Sequence, residues 1–350
     1  MKQKSFKIIV KNKILPFKKN IEVDSDKSLS IRGFLIGSIC QGISTVKNVL
    51  ESEDVKSTIS VCKKLGVKIE KINQKSYKIY GKGLGSLFAK RNTELNFSNS
   101  GTASRLIIGA LSTTPNIEVK LTGDHSLNKR SMKKLIDLMT SFGAYFLPKG
   151  KVTFPLKIIS SKMPIGINYK AGVSAQLKSA VMLAGLNSYG NTRITETIRS
   201  RDHTENLLMK NSQAIKINDR KKKEINVFGR KYLNPINLNI GGDPSSAAFF
   251  TTLTLLNQKS TLKIKNVGLN PTRIGFYEIL KKQKASIKFL NLKKENNEIR
   301  GDILVKSCKL KPLKTPAEMY PSTTDEYLLL FCIAGLTKGI STFKGISDLA

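Results

Sequence analysis

Five times along this chain a cluster of small polar residues opens onto an apolar helical run. Each run breaks at a polar or glycine turn and then alternates like a strand. The five segments are "DKSLSIRGFLIGSICQGISTVKNV", "SGTASRLIIGALSTTPNIEVKLTG", "SAQLKSAVMLAGLNSYGNTRITET", "PSSAAFFTTLTLLNQKSTLKIKNV" and "STTDEYLLLFCIAGLTKGISTFKG". Their openings, Ser28, Gly101, Ala175, Ser246 and Thr324, recur at intervals of about 70 to 80 residues. A period of that length restricts the chain to folds that reuse one supersecondary unit. The first four copies continue alike. A second helical stretch follows, such as "SMKKLIDLMTSFGAYF", with Met132, Leu135, Ile136, Met139 and Phe142 on one face. Strand-like pieces around a turn come next, as in "KSYKIYGKGLG", "KKKEINVFGRK" and "NNEIRGDILVK". One unit therefore reads strand, helix, strand, helix, strand, strand, and the fold class is α/β. The fifth copy breaks off at "STFKGISDLA", before its second helix.

Helix openings made of small polar residues have two readings. Ser, Thr, Asn and Asp satisfy free N–H groups there as ordinary caps. Several such openings facing one place also make an anion-binding floor, because free donors and the positive end of the helix dipole gather there. Capping does not explain the cations beside the caps: Lys27, Arg32, Arg105 and Lys178. The chain carries 60 Lys+Arg against 25 Asp+Glu, a net charge of +35, which points to an anionic partner. The lysines are scattered rather than gathered in one arm, and solvated lysine-rich faces account for much of the excess.

Taken singly, the motifs differ in force. In "DSDKSLSIR", Ser28 and Arg32 share a helix face beside Lys27, and hydroxyl, guanidinium and ammonium together suit a phosphate or carboxylate. "LTGDHSLNKRSM" ends in a Lys129–Arg130 pair that alone reads as solvent-facing, and "SAQLKSA" sets Gln176 and Lys178 in a first turn. "RSRDHTENLL" packs Ser200, Arg201, Asp202, His203 and Glu205 before a helix; a capping box accounts for part of it, and a lone His203 reads first as a structural hydrogen-bonder. Asp325 and Glu326 open the fifth helix, where acids suit the dipole and where a general base can also face a cleft. "YGKGLGS" has neither the spacing nor the following helix of a phosphate loop and is a strand-end turn. "NDRKKKE" is a solvated hairpin tip.

Composition removes several classes. Cys40, Cys62, Cys308 and Cys332 lie far apart in apolar surroundings, and with two histidines no zinc spacing exists, so the cysteines read as core residues of a reduced, cytoplasmic protein. The apolar runs of the basic N-terminus are too short for a signal peptide, and "YLLLFCIAGL" is half a membrane span at best.

In their order, "DKSLSIR", "NSGTASRL", "LTGDHSLNKRSM", "SAQLKSAVMLAGL", "SRDHTENLL", "GGDPSSAAFF", "NPTRIGFYEIL" and the "TDE" helix resemble the 5-enolpyruvylshikimate-3-phosphate synthases over essentially the whole chain. The resemblance implies a two-domain enolpyruvyl transferase fold of three βαβαββ units per domain, with helix N-termini facing an interdomain cleft. It implies transfer of the enolpyruvyl group from phosphoenolpyruvate to the 5-hydroxyl of shikimate 3-phosphate, releasing phosphate, in the shikimate pathway of aromatic amino-acid and chorismate biosynthesis. Lys27 is then expected to touch both substrates, with Ser28, Arg32, Ser174, Gln176, Ser200 and His203 on shikimate 3-phosphate. Asn99, Gly101 and Arg130 are expected at phosphoenolpyruvate, and Asp325 as the acceptor of the 5-hydroxyl proton, with Lys27 also in the catalytic set. No cofactor, metal, nucleic acid or membrane is expected, and the protein is expected to be a monomer.

Two departures accompany the resemblance. The family's "KRPM" reads "KRSM", with Ser131 in place of Pro, which bears on the helix start. The family's later "VKESDR"-like motif and further clamping cations do not occur in these 350 residues, so the sixth unit and part of the fifth are expected to be absent and this chain is expected to turn over slowly or not at all. Residues 22–239 are expected to form a complete domain, and 1–21 with 240–350 a second, incomplete one. Three alternatives remain: the related transferase acting on UDP-N-acetylglucosamine, whose catalytic cysteine the loop after "LTGD" lacks; a basic nucleic-acid-binding protein, disfavoured by 7% aromatics lying in apolar runs; and a non-catalytic remnant.

Overall fold

The computed structural model describes residue 9, residues 11–219 and residues 223–347. The middle of the expected hairpin tip (220–222) and the first eight residues lie outside the described residues. The chain opens with β1 (Lys18–Glu22), α1 (Lys27–Ile39), β2 (Gln41–Lys47), α2 (Glu53–Lys64), β3 (Lys68–Asn73) and β4 (Ser76–Lys82). A second round follows as β5 (Glu94–Asn96), α3 (Gly101–Thr113), β6 (Glu118–Thr122), α4 (His125–Lys129), α5 (Lys133–Ser141), β7 (Tyr145–Leu147) and β8 (Leu156–Ile159). The third is β9 (Asn168–Ala171), α6 (Ala175–Leu186), β10 (Asn191–Glu196), α7 (His203–Leu208), β11 (Ile215–Asp219) and β12 (Lys223–Phe228). The fourth is β13 (Asn237–Asn239), α8 (Pro244–Leu256), β14 (Thr261–Gly268), α9 (Gly275–Lys282), β15 (Ile287–Glu295) and β16 (Glu298–Lys306). The chain continues through β17 (Lys314–Thr315), α10 (Tyr320–Thr323), α11 (Tyr327–Gly335) and β18 (Thr342–Phe343).

Each four-stranded sheet repeats one plan: two parallel neighbours, then two antiparallel ones. The orders are β13-β2-β4-β3, β5-β6-β8-β7, β9-β10-β12-β11 and β1-β14-β16-β15. Within a round, parallel strands such as β5 and β6 need a helical crossover, here α3, whereas β3 and β4 are joined by a tight turn and pair antiparallel. β17 and β18 pair in parallel around α10 and α11, the opening half of the same plan.

The order of pairing departs from a chain of self-contained units at one point. β1 precedes α1 in sequence yet pairs in parallel with β14, and β13 precedes α8 yet pairs with β2. The two units exchange their first strands. The segments that carry the chain across run side by side: Asp26 N–H donates to Gly241 O at 2.9 Å and Asp243 N–H to Asp24 O at 2.8 Å. Local periodicity makes each segment a strand but is silent about which parallel neighbour it takes.

Two apolar clusters result. One gathers buried residues from Leu29 to Ile240; the other runs from Ala247 to Ile333, with Phe17, Ile21 and Val23 packed against it. In the first lobe α1, α3 and α6 are apolar almost all round and buried almost all round, as helices without a polar face must be. α3 and α6 approach closely at Gly109, where a Cβ would come within 2.7 Å of the Ala180 Cα. Among the described residues no helix is long and apolar enough to cross a membrane.

Candidate active site

The helix openings that recur in sequence come together in space. Lys27, Ser28 and Arg32 from α1, Thr102 from α3, Ser174, Ala175 and Gln176 from α6, Asp243 and Ser245 from the start of α8, and Thr324 and Asp325 before α11 line one cleft of about 560 Å³ between the lobes. Much of the polar dressing is ordinary capping: the side chains of Asp26, Ser100, Ser174 and Asp243 accept from Leu29, Ala103, Leu177 and Ser245 N–H. The cations and one carboxylate are what capping leaves over.

Arg32 is buried and fixed. Its Nη1 donates to the Ser28 hydroxyl and to Ser28 O (3.1 Å), its Nε to Thr204 Oγ1 (2.9 Å) and its Nη2 to Ser179 Oγ (3.4 Å). Burial pulls the guanidinium down to about 10, partly offset by Asp26, Glu205 and Glu298, so it stays charged at neutral pH. Lys27 is half-exposed and paired with Asp54 at 2.9 Å. Gln176 accepts from Arg105 Nη1 (2.9 Å) and donates to Thr102 Oγ1 (3.0 Å), which ties α6 to α3.

Asn99, Gly101 and Arg130 gather beside this cleft without lining it. Arg130 Nη2 donates to Asn99 Oδ1 at 2.7 Å, and a Cβ at Gly101 would meet the guanidinium groups of Arg105 and Arg130 at 2.8 and 3.2 Å. A side chain there would have to displace the tips of both cations over the opening of α3. An adjoining cavity of about 620 Å³, lined by Arg105, Lys133, Lys134 and Tyr169, shares Val173, Ser174 and Gln176 with the cleft.

Ser200 and His203 are brought to neither cavity. Ser200 is buried, with its N–H and hydroxyl both donated to Glu196 Oε1 at 2.7 and 2.6 Å. His203 is buried with Nδ1 2.8 Å from Glu298 Oε1, a contact from the first lobe to the second. Lys178 also turns away from the mouth. It follows Gln176 by two residues, about 200° round the helix, so one faces the cleft and the other the interior.

Two further cations complete the cleft: Arg201, from the dense motif "RSRDHTENLL", and Arg273, which the motif-by-motif reading did not single out. Arg201 Nη2 reaches across the lobes to Asp325 Oδ2 at 2.7 Å. Arg273 is buried between Asp243 (3.2 Å), Asp26 (3.8 Å) and Asp325 (3.9 Å), and donates to Ser245 Oγ at 3.0 Å. Burial alone would lower the Arg273 guanidinium, but these carboxylates hold it above its ordinary value. The signal for Arg273 was an arginine just ahead of an apolar helix in "NPTRIGFYEIL", where the dipole favours an acid. Burial pushes the Asp325 carboxyl up, and Arg201 and Arg273 outweigh it, so Asp325 lies below the usual carboxylate range. With its side chain 48% exposed, it presents an ionised carboxylate to the cleft. Among the described residues no cluster of His, Cys, Asp and Glu is arranged to hold a metal ion.

Known proteins resemble this chain over nearly its whole length. The family model described as EPSP synthase (3-phosphoshikimate 1-carboxyvinyltransferase) matches residues 11–350. The 3-phosphoshikimate 1-carboxyvinyltransferase of Petrotoga mobilis is 39% identical over 335 residues, covering 94% of this chain and 76% of that protein. The protein of the same name from Zymomonas mobilis is 36% identical, covering 97% and 75%. A solved EPSP synthase structure from Acinetobacter baumannii superposes with a TM-score of 0.84 at 34% identity, covering 96% of this chain and 76% of that one.

Proposed function

The chain belongs to the EPSP synthase family, and from that premise we propose that its cleft binds shikimate 3-phosphate and phosphoenolpyruvate, transfers the enolpyruvyl group to the 5-hydroxyl and releases phosphate. The observation that carries this reading is the convergence of helix openings from both lobes on one cleft that holds Lys27, Arg32, Arg201 and Arg273 and a single half-exposed carboxylate, Asp325. Two polyanionic substrates need several fixed cations, and positioning plus electrostatics then supply most of the rate. Ser28, Arg32, Ser174 and Gln176 hold shikimate 3-phosphate; Asn99, Gly101 and Arg130, beside the opening of α3, hold phosphoenolpyruvate; Lys27 serves both. Asp325 takes the 5-hydroxyl proton. Ser200 and His203 contribute by fixing the segment that carries Arg201. The lobe boundary lies close to the expected 22–239, shifted by a residue or two: Glu22 pairs with Lys265 and Val23 packs on the second cluster, while Ile240 packs in the first. The protein acts as a cytoplasmic monomer without nucleic acid, and its four free cysteines suit a reducing compartment.

Calorimetric titration with shikimate 3-phosphate at low salt tests the binding half. Wild type gives a saturable heat that Arg32→Ala abolishes; equal heats for the two overturn the assignment. Phosphate release from phosphoenolpyruvate, slow as it is expected to be, tests the reaction: release that requires shikimate 3-phosphate and falls further in Asp325→Asn supports it, and release indifferent to both overturns it.

A further inference from the structure

Beneath the cleft floor lies a buried quartet the proposed chemistry does not use. Lys178 Nζ is 2.7 Å from Glu196 Oε1 and 2.7 Å from Glu205 Oε1. Lys223 Nζ is 3.3 Å from Glu205 Oε1 and 3.6 Å from Glu196 Oε2. All four side chains are buried, and two cations balance two anions. As a stabilising device this is poor, because such groups can often be exchanged for apolar ones at no loss. Its location is more telling. Lys178 is on α6, the helix that presents Ser174 and Gln176 to the cleft, and Glu196 ends β10, just before the segment that presents Arg201.

We propose that Lys178 is a positioning residue: acting through Glu196, it fixes the backbone at Ser200 and with it the reach of Arg201 to Asp325. The inference rests on the ligand reading above for its functional consequence, and on geometry alone for its structural one. Glu196 Oε1 accepts from Lys178 Nζ and from both the N–H and the hydroxyl of Ser200, so the cation and the loop share one oxygen. The next two residues then engage the other lobe. Arg201 pairs with Asp325, and Asp202 Oδ1 accepts from Asn270 Nδ2 (2.8 Å) and Thr272 Oγ1 (3.2 Å). Burial alone would raise the Glu196 carboxyl; Lys178 is the leading influence that keeps it below the usual range. Without that cation a buried carboxylate protonates or shifts, and either change loosens the two Ser200 bonds. Lys223 pairs at 3.6 Å with the other oxygen, so it leaves the Oε1 shared with Ser200 without its cation.

The test uses the 350-residue chain carrying Lys178→Met, with Lys178→Arg as the charge-keeping variant. Amide exchange at Ser200 is expected to speed up about tenfold or more, the worth of a hydrogen bond to a charged group, while β10 and β12 stay protected. Asp325, followed by carboxyl NMR, is expected to titrate at a higher pH as Arg201 withdraws, and the Kd for shikimate 3-phosphate to rise about tenfold. Lys178→Arg is expected to recover part of each. Unchanged Ser200 exchange together with an unchanged Asp325 titration overturns the proposal. If both shift and shikimate 3-phosphate binding does not, the positioning role holds and the ligand reading is what fails. Should β10 and β12 lose protection in Lys178→Met, Glu196→Gln, which keeps an acceptor oxygen but removes the ion pair, is judged by the same two readouts.

Discussion

The inner helices of the two lobes are written in the same style and end in different surroundings. α3 in the first lobe, Arg105 apart, and α11 in the second are both apolar nearly all round. α3 buries Ala103, Leu106, Ile107, Ile108, Ala110 and Leu111, because α1, α6 and α5 pack around it. Among the described residues α11 packs on α8, and its far side stays open: Leu328 is 76% and Leu336 73% exposed. On α8, Phe249 is 61% exposed at the cleft edge. An all-apolar helix thus announces that it wants neighbours on every side, and the number of neighbours it has is a property of the lobe.

The contrast breaks most sharply under truncation of a side chain. Ile107→Ala, at a fully buried site, is expected to cost about 2–5 kcal/mol, while Leu328→Ala stays within about 0.5 kcal/mol, both read from denaturant unfolding. Similar costs for the two would mean that α11 is covered in solution. Addition of a methyl group should separate the lobes in sign. Gly109→Ala pushes a Cβ against Ala180 and is expected to cost about 1–3 kcal/mol. Gly335→Ala, at the end of α11 with open space around it, is expected to stabilise by about 0.5–1 kcal/mol through helix propensity.

The smallest expected effect concerns acid. Burial holds the Glu326 carboxyl of the second lobe above its ordinary value, so its ionised form weakens the folded state. Its contribution is therefore full below its unfolded pKa and declines as pH rises through the folded one. Glu196 in the first lobe lies below its ordinary value: its contribution is present above the unfolded pKa and lost as pH falls through the folded one. Glu326→Gln should accordingly raise Tm at pH 7 and lose that advantage near pH 4. A variant less stable than wild type at pH 7 would show that the carboxylate's link to Ser245 outweighs its burial.

Much of the cleft was legible residue by residue. Ser28 and Arg32 announce themselves by sharing a helix face beside Lys27, and all three line the cleft. Ser200 and His203 sit in an equally dense motif, yet their bonds go to Glu196 and Glu298. Arg201, between them, does the reaching. Nothing in "RSRDHTENLL" distinguishes the side chain that points out from those that point in, since Ser200 and Arg201 lie ahead of the helix and His203 is its first residue, where no period applies yet.

By itself the sequence determined the repeat, the strand and helix content of each copy, the capped openings and the identity of several cations beside them. Those are short-range matters: a helix face, a cap or an alternation is settled within a few residues by backbone geometry and hydrogen-bond supply. Tertiary structure alone decided that β1 and β13 exchange sheets, that Lys178 faces inward to Glu196, and that Arg201 and Arg273 meet Asp325. Each of those depends on a partner from a distant unit or the other lobe, and a local pattern cannot carry that choice, because many strand edges and carboxylates would satisfy it equally until the two lobes fix which one is within reach.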